Sequence, residues 1–173
     1  LFLQWYRHRN REENSLGFKL MLVKVPRDNE IKIDAAEQMF AQLHTTHEEG
    51  FKHFFRAQDH FSFEIVALKE DIRFIVSCPH ELQDLLEKQI YGAYPMAEIK
   101  EIDEYNIFSE TGKVAFATLK LKAAAYSPIR VYRDLPTDPL SAITTCLAKM
   151  GDGEGAAIQI LVTPASHKWQ HAG

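Results

Sequence analysis

Between Leu16 and Asp103 the apolar residues switch repeatedly between a spacing of two and a spacing of three or four, and the order of those switches restricts the fold more than anything else in the chain. A spacing of two marks a strand, and a three-four spacing marks one stripe of a helix. A strand fits Leu16–Val25, where Phe18, Leu20 and Leu22 alternate with Lys19, Met21 and Val23 before Pro26-Arg27-Asp28-Asn29 punctuates it. Asp34, with Glu37 three residues on, predicts a capped helix whose stripe is Ala36, Met39, Phe40 and Leu43. A polar, His-rich connection runs to Asp59. Phe61, Phe63, Ile65 and Ala67 then form one face of a strand, Lys69-Glu70-Asp71 turns, and Ile72, Phe74 and Val76 return as a hairpin. Pro79 suits the first position of a second helix, where its missing N–H costs nothing. Leu82, Leu85, Leu86 and Ile90 are that helix's stripe, Gly92 and Pro95 end it, and Ala97–Asp103 is a strand. The order β-α-β-β-α-β predicts an α+β chain of the ferredoxin-like split βαβ kind, with two helices on one face of a four-stranded antiparallel sheet. Phe40, Phe74 and Leu86 are the expected buried anchors.

The remainder begins to repeat this pattern. Lys113–Lys122 reads as a strand, with Val114, Phe116 and Thr118 on one side and Ala115, Ala117, Leu119 and Leu121 on the other. Ile129–Asp134 leads through Pro136 into a helix at Asp138-Pro139, with Leu140, Ile143, Thr144 and Leu147 inward. Gly151-Asp152-Gly153 closes it, and Ala156–Thr163 is an apolar strand. Val25-Pro26-Arg27-Asp28 and Val131-Tyr132-Arg133-Asp134, each followed by a helix, suggest a weak internal repeat. The second copy stops after β-α-β; either its missing elements lie beyond Gly173, or this half docks on the first with a reduced sheet. The expected division is therefore 1–15, 16–108 for the ferredoxin-like domain, and 109–173 for a partial second β-α-β repeat packing on the first.

Residues 1–15 have their own logic. Leu1-Phe2-Leu3-Gln4-Trp5-Tyr6-Arg7-His8-Arg9 runs from aliphatic through aromatic to basic, with no initiator Met. That is the order expected where a spanning helix leaves the bilayer on the cytoplasmic side, although a span needs about twenty apolar residues. The stretch is thus read as the last turn of an anchor and a juxtamembrane linker, with an amphipathic helix start or a frayed strand as the plainer reading.

At 173 residues, 46% hydrophobic and 25% charged, the chain can bury a core. A net charge of −4 gives no global basic footprint for nucleic acid. Cys78 and Cys146 form no CxxC pair and read as reduced, buried small hydrophobes, a disulfide between them being the minor alternative.

No residue pattern carries catalysis. His44-Thr45-Thr46-His47-Glu48-Glu49, with His53 and His60, is the best metal-like constellation, but no second tight ligand pair fixes it, and a solvated loop is the better reading. Thr111-Gly112-Lys113 lacks the rest of a phosphate loop, and Gly151-Asp152-Gly153-Glu154-Gly155 places acids where an anion would sit, so it reads as a helix end and turn. Ser15, Ser141, Cys78 and His80 show no nucleophile arrangement. Phe61, Phe63 and Phe74 invite comparison with RNA-stacking sheets but alternate as a helix-covered core. His53-Phe54-Phe55-Arg56 is an expected exposed docking point for a neighbouring subunit or a membrane surface.

Several stretches resemble the N-terminal, membrane-proximal domain of bacterial conjugation and type IV secretion-like (HerA/TraG-like) ATPases. They are Val23–Arg27, Ala36–His44, Phe63–Val66, Arg73–Pro79, Gln89–Ile99, Asp138–Leu140 and Gly153–Ile160. The resemblance covers about Phe18 to Thr163 and consists of structural signatures. It implies a membrane segment before this domain and a RecA-like motor with a phosphate loop after it. It also implies a non-catalytic assembly or positioning domain for a conjugative DNA-transfer ATPase, at the cytoplasmic face of the bacterial cytoplasmic membrane. The implied partners are the chain's own C-terminal ATPase domain, neighbouring protomers and the membrane, with DNA reached only through the motor. No catalytic, cofactor-binding or metal residue is carried over, because the family's catalytic motifs lie in that motor. The alternative is a stand-alone ferredoxin-like module binding a ligand or RNA.

Overall fold

The computed structural model describes residues 17–43, 60–69, 71–110, 112–123, 127 and 129–163. Residues 1–15, with their expected membrane exit, lie outside them, as do His44, His47, His53 and the Phe54-Phe55 pair. Among the described residues, no helix is long and apolar enough to cross a membrane.

The elements are β1 (Phe18–Lys24), α1 (Asp34–Gln42), β2 (Phe61–Leu68), β3 (Asp71–Pro79), α2 (Gln83–Ala93), β4 (Glu98–Ile102), α3 (Pro139–Leu147) and β5 (Gly155–Val162). Short 3-10 turns sit at His80–Leu82 and Tyr132–Asp134. Among the described residues the architecture is α+β: three helices and one five-stranded antiparallel sheet in the order β4-β1-β3-β2-β5. β1 pairs antiparallel with β3, Met21 opposite Val76, and with β4, Met21 opposite Glu101.

By internal contacts the chain forms two compact units. The first comprises the described residues of Leu1–Glu64, Arg73–Glu104 and Gln159–Pro164; the second comprises those of Ile65–Ile72, Tyr105–Ile158 and Ala165–Gly173.

In the first unit the two-residue alternation of β1 and β3 brings Met21, Val76 and Cys78 to one face. Met39 and Leu43 from the α1 end and Leu86 and Ile90 from α2 join them, with Phe61 and Ala97, in one buried cluster. Met21, Cys78 and Leu86 have no exposed surface. Spacings of four between Met39 and Leu43 and between Leu86 and Ile90 put each pair on one helix face, which is why both helices can cover the same side of the sheet.

Local details depart from expectation where another force wins. Pro79 is the last residue of β3 and does not open α2; a 3-10 turn intervenes, and the helix starts at Gln83. α2 runs through Gly92 to Ala93, and Tyr94, at ψ 80, leaves the helical region because a residue before proline is disfavoured there. Ile33, not Asp34, is the N-cap of α1 and makes no side-chain cap bond. Asp34 and Glu37 instead lie in the first turn, where their charges favour the positive end of the helix dipole. Of the expected anchors, Leu86 is buried, whereas Phe40 and Phe74 are 44% and 48% exposed. Phe74 pairs with Val23 at the far end of β1, beyond the point where the buried cluster stops at Val76. Phe40 lies edge-on to Phe63, ring centroids 4.9 Å apart, and so fills a margin of the core.

In the second unit α3 forms as expected. Asp138 caps it by accepting from the Leu140 N–H at 2.9 Å, and Pro139 follows at the first turn. Its C-terminal carbonyls accept from Ala148, Lys149 and Met150, and Gly153 turns the chain at φ +76 into β5. Lys69 and Asp152 form an ion pair between the hairpin tip and this turn. The expected strand at Lys113–Lys122 is not formed: its described residues belong to no element and pair with no strand of the sheet. Extended sequence alone does not make a strand, because the ladder needs a partner for its backbone groups.

Leu86→Ala is expected to lower unfolding stability by about 3–5 kcal/mol through lost burial and cavity formation. Phe74→Ala, at a half-exposed site, is expected to cost less than about 2 kcal/mol. Urea denaturation of both variants checks the contrast; equal losses would mean the core extends over Phe74.

Candidate interaction surface

The chemistry-bearing side chains of the first unit are mostly engaged. Ser62 and Glu64 alternate away from Phe61 and Phe63 on β2, yet both are buried. Glu64 Oε1 accepts from the Ser62 hydroxyl at 2.7 Å and from Gln159 Nε2 of the neighbouring β5 at 2.8 Å. A buried carboxylate without donors would cost several kcal/mol, so this arrangement is a polar tie between adjacent strands. Alternation had placed Ser62 and Glu64 on the face away from the aromatics, but no sequence signal announced that this face is covered too.

Cys78 is fully buried, and desolvation, with a smaller contribution from the Glu87 charge, pushes its thiol up to about 12. It therefore holds its proton at neutral pH and is no nucleophile. Cys146 lies exposed on α3, against expectation, and both cysteines are free. His80 sits exposed in its 3-10 turn, and the His60 ring lies against Phe18 with centroids 4.7 Å apart. Among the described residues, no group of three His, Cys, Asp or Glu side chains is arranged to hold a metal. Ser141 is exposed within α3. Gly112 closes a turn on the Ser109 carbonyl, and Gly151–Glu154 forms the turn before β5, which Gly155 opens. Phe61 is buried, so it presents no ring to a base.

The distinctive surface belongs to the second unit. Among its described large hydrophobics, Phe108, Val114, Phe116, Leu119, Leu121, Ile129, Val131 and Leu140 are all exposed, whereas Val66 and Leu147 are buried. Single exposed apolar residues are ordinary, but a run of this density marks a surface that another element or molecule covers. Its sequence signal was the alternation in Lys113–Lys122, apolar on both sides, which suits a strand enclosed on both faces.

An α+β domain with a helix-covered sheet and an exposed apolar segment is the class these features define. The chain belongs to the family described as Domain of unknown function (DUF8128), which it matches over residues 10–173. No curated protein and no solved structure matches it.

Three outcomes follow from these side chains. In native buffer a thiol alkylating agent should modify Cys146 and leave Cys78 untouched until denaturant is added; mass spectrometry of the peptides reads this directly. A folded thiol that holds its proton to about 12, against an ordinary value of 9.0, contributes stability that is complete below pH 9.0 and is lost as pH rises towards 12. Gln159→Leu should lower stability by about 1–2 kcal/mol, since it removes a donor to a buried carboxylate, as measured by the shift of the denaturation midpoint.

Proposed function

We propose that this chain is a non-catalytic assembly and positioning domain of a conjugative, type IV secretion-like DNA-transfer ATPase in bacteria, held at the cytoplasmic face of the cytoplasmic membrane. Its partners are a C-terminal motor domain in the same polypeptide and neighbouring protomers, with DNA engaged only by the motor. The observation that carries this reading is the exposed apolar run from Phe108 to Leu140, which is suited to packing against protein. The stretches shared in character with HerA/TraG-like N-terminal domains supply the kind of machine.

In this reading the first unit is a ferredoxin-like split βαβ domain. The element order β1-α1-β2-β3-α2-β4 and the neighbour order β4-β1-β3-β2 support it. The stretch holding α3 and β5 is a partial second α+β repeat, in which the expected first strand at Lys113–Lys122 is not formed. Residues 1–15 supply the anchor. The role is mechanical: a sheet pinned by two helices keeps its shape under load, while the apolar segment joins it to its neighbours.

The complete gene product should fractionate with membranes and hydrolyse ATP with DNA stimulation, whereas residues 1–173 alone should hydrolyse none. A complete product without ATP hydrolysis would overturn the motor reading and leave a binding module.

A further inference from the structure

Two features of the described residues remain without a role, and their chemistry is complementary. β4 ends the sheet order, so one edge of it has no strand beside it. The stretch from Glu98 to Glu104 carries Glu98, Glu101, Asp103 and Glu104 against Lys100, a net of −3. Glu101 is held by Lys19, and the other three acids are exposed. An acidic edge resists pairing with a copy of itself, but it is an open template for a basic strand.

Lys113–Lys122 is such a strand in sequence. It carries Lys113, Lys120 and Lys122 and no acid, a net of +3, and it alternates apolar residues on both sides. Phe116 and Leu119 are 89% and 96% exposed, and the segment's described residues belong to no element. A stretch with strand periodicity, no partner strand and a charge opposite to that of an open edge has the properties of an added strand.

We infer that the occupant of the β4 edge is a second copy of this chain: residues 113–122 of one copy add to β4 of the next as a further strand of its sheet. Main-chain hydrogen bonds give the contact its strength, and the lysines facing the acidic edge give it direction and exclude pairing of like edges. Donor and acceptor are different surfaces, so the contact is head-to-tail. It either propagates from protomer to protomer in a ring or row, or closes reciprocally as a dimer. This deepens the assembly reading proposed above by naming the surface, and it rests on that reading's assembly component and not on the motor.

The test is sedimentation velocity of the 173-residue chain over a wide concentration range, at low and high salt. The wild-type chain should gain mass with concentration, and less so at high salt. Ala117→Pro removes a ladder donor from an exposed residue outside every element. It should therefore leave the circular dichroism of the monomer unchanged while weakening association about tenfold or more. The double variants Lys120→Glu/Lys122→Glu and Glu98→Lys/Asp103→Lys should each associate poorly alone and recover association when mixed. An Ala117→Pro chain that associates like wild type would overturn the inference. So would a wild-type chain that stays monomeric at every concentration, including one whose 113–122 amides are protected from exchange by pairing within the same chain. Neither result bears on ATP hydrolysis by the complete gene product, so the two readings fail separately.

Discussion

Pairing of β1 along both of its edges is the constraint on which the rest of the first unit depends. With β3 on one side and β4 on the other, the register places Met21 between Val76 and Glu101. That fixes which set of β1 side chains enters the core, because a slip of one residue would exchange Met21 and Val23 for Leu20 and Leu22. Once Met21 faces inward beside Val76 and Cys78, the stripes of α1 and α2 have a matching apolar floor, and the fully buried Leu86 closes it. Lys19 and Glu101, paired at the margin, keep charge at the rim of this face.

The other face of the sheet is held differently. Consecutive residues Ile75, Val76, Ser77, Cys78 and Pro79 are all buried, so β3 is enclosed on both sides. On β2 the same enclosure takes in Glu64, and the structure tolerates the carboxylate because Ser62 and Gln159 donate to it. The tie between β2 and β5 is thus polar as well as backbone-mediated. Directional bonds of this kind fix a strand's position more narrowly than apolar contact does.

The second unit shows the opposite balance. α3 is well capped and its closing turn is complete, yet few of the described apolar side chains there are buried. Good local structure with an uncovered apolar surface is what a domain built to be completed by protein contacts looks like, and the assembly reading takes its force from that contrast.

Much of this was legible in the residues themselves. The alternation in β1 to β4, the 36–39–43 and 82–86–90 spacings, the Asp138-Pro139 helix start and the apolar run at Ala156–Thr163 were sufficient to place the three α-helices and five strands of the described residues to within a few residues, because these signals are local. What only tertiary structure decided was which apolar residues are covered. Both sets of β1 alternate as apolar, and only pairing chose Met21. Phe40 and Phe74 have the right spacing, but each sits at the margin of the buried cluster and stays half-exposed. Glu64 looks like a solvated strand residue until a neighbouring strand brings Gln159 to it. Lys113–Lys122 has the composition of a strand but no partner among the described residues. Periodicity is written in each segment, whereas burial and pairing depend on what lies beside it, and that information is distributed over distant parts of the chain.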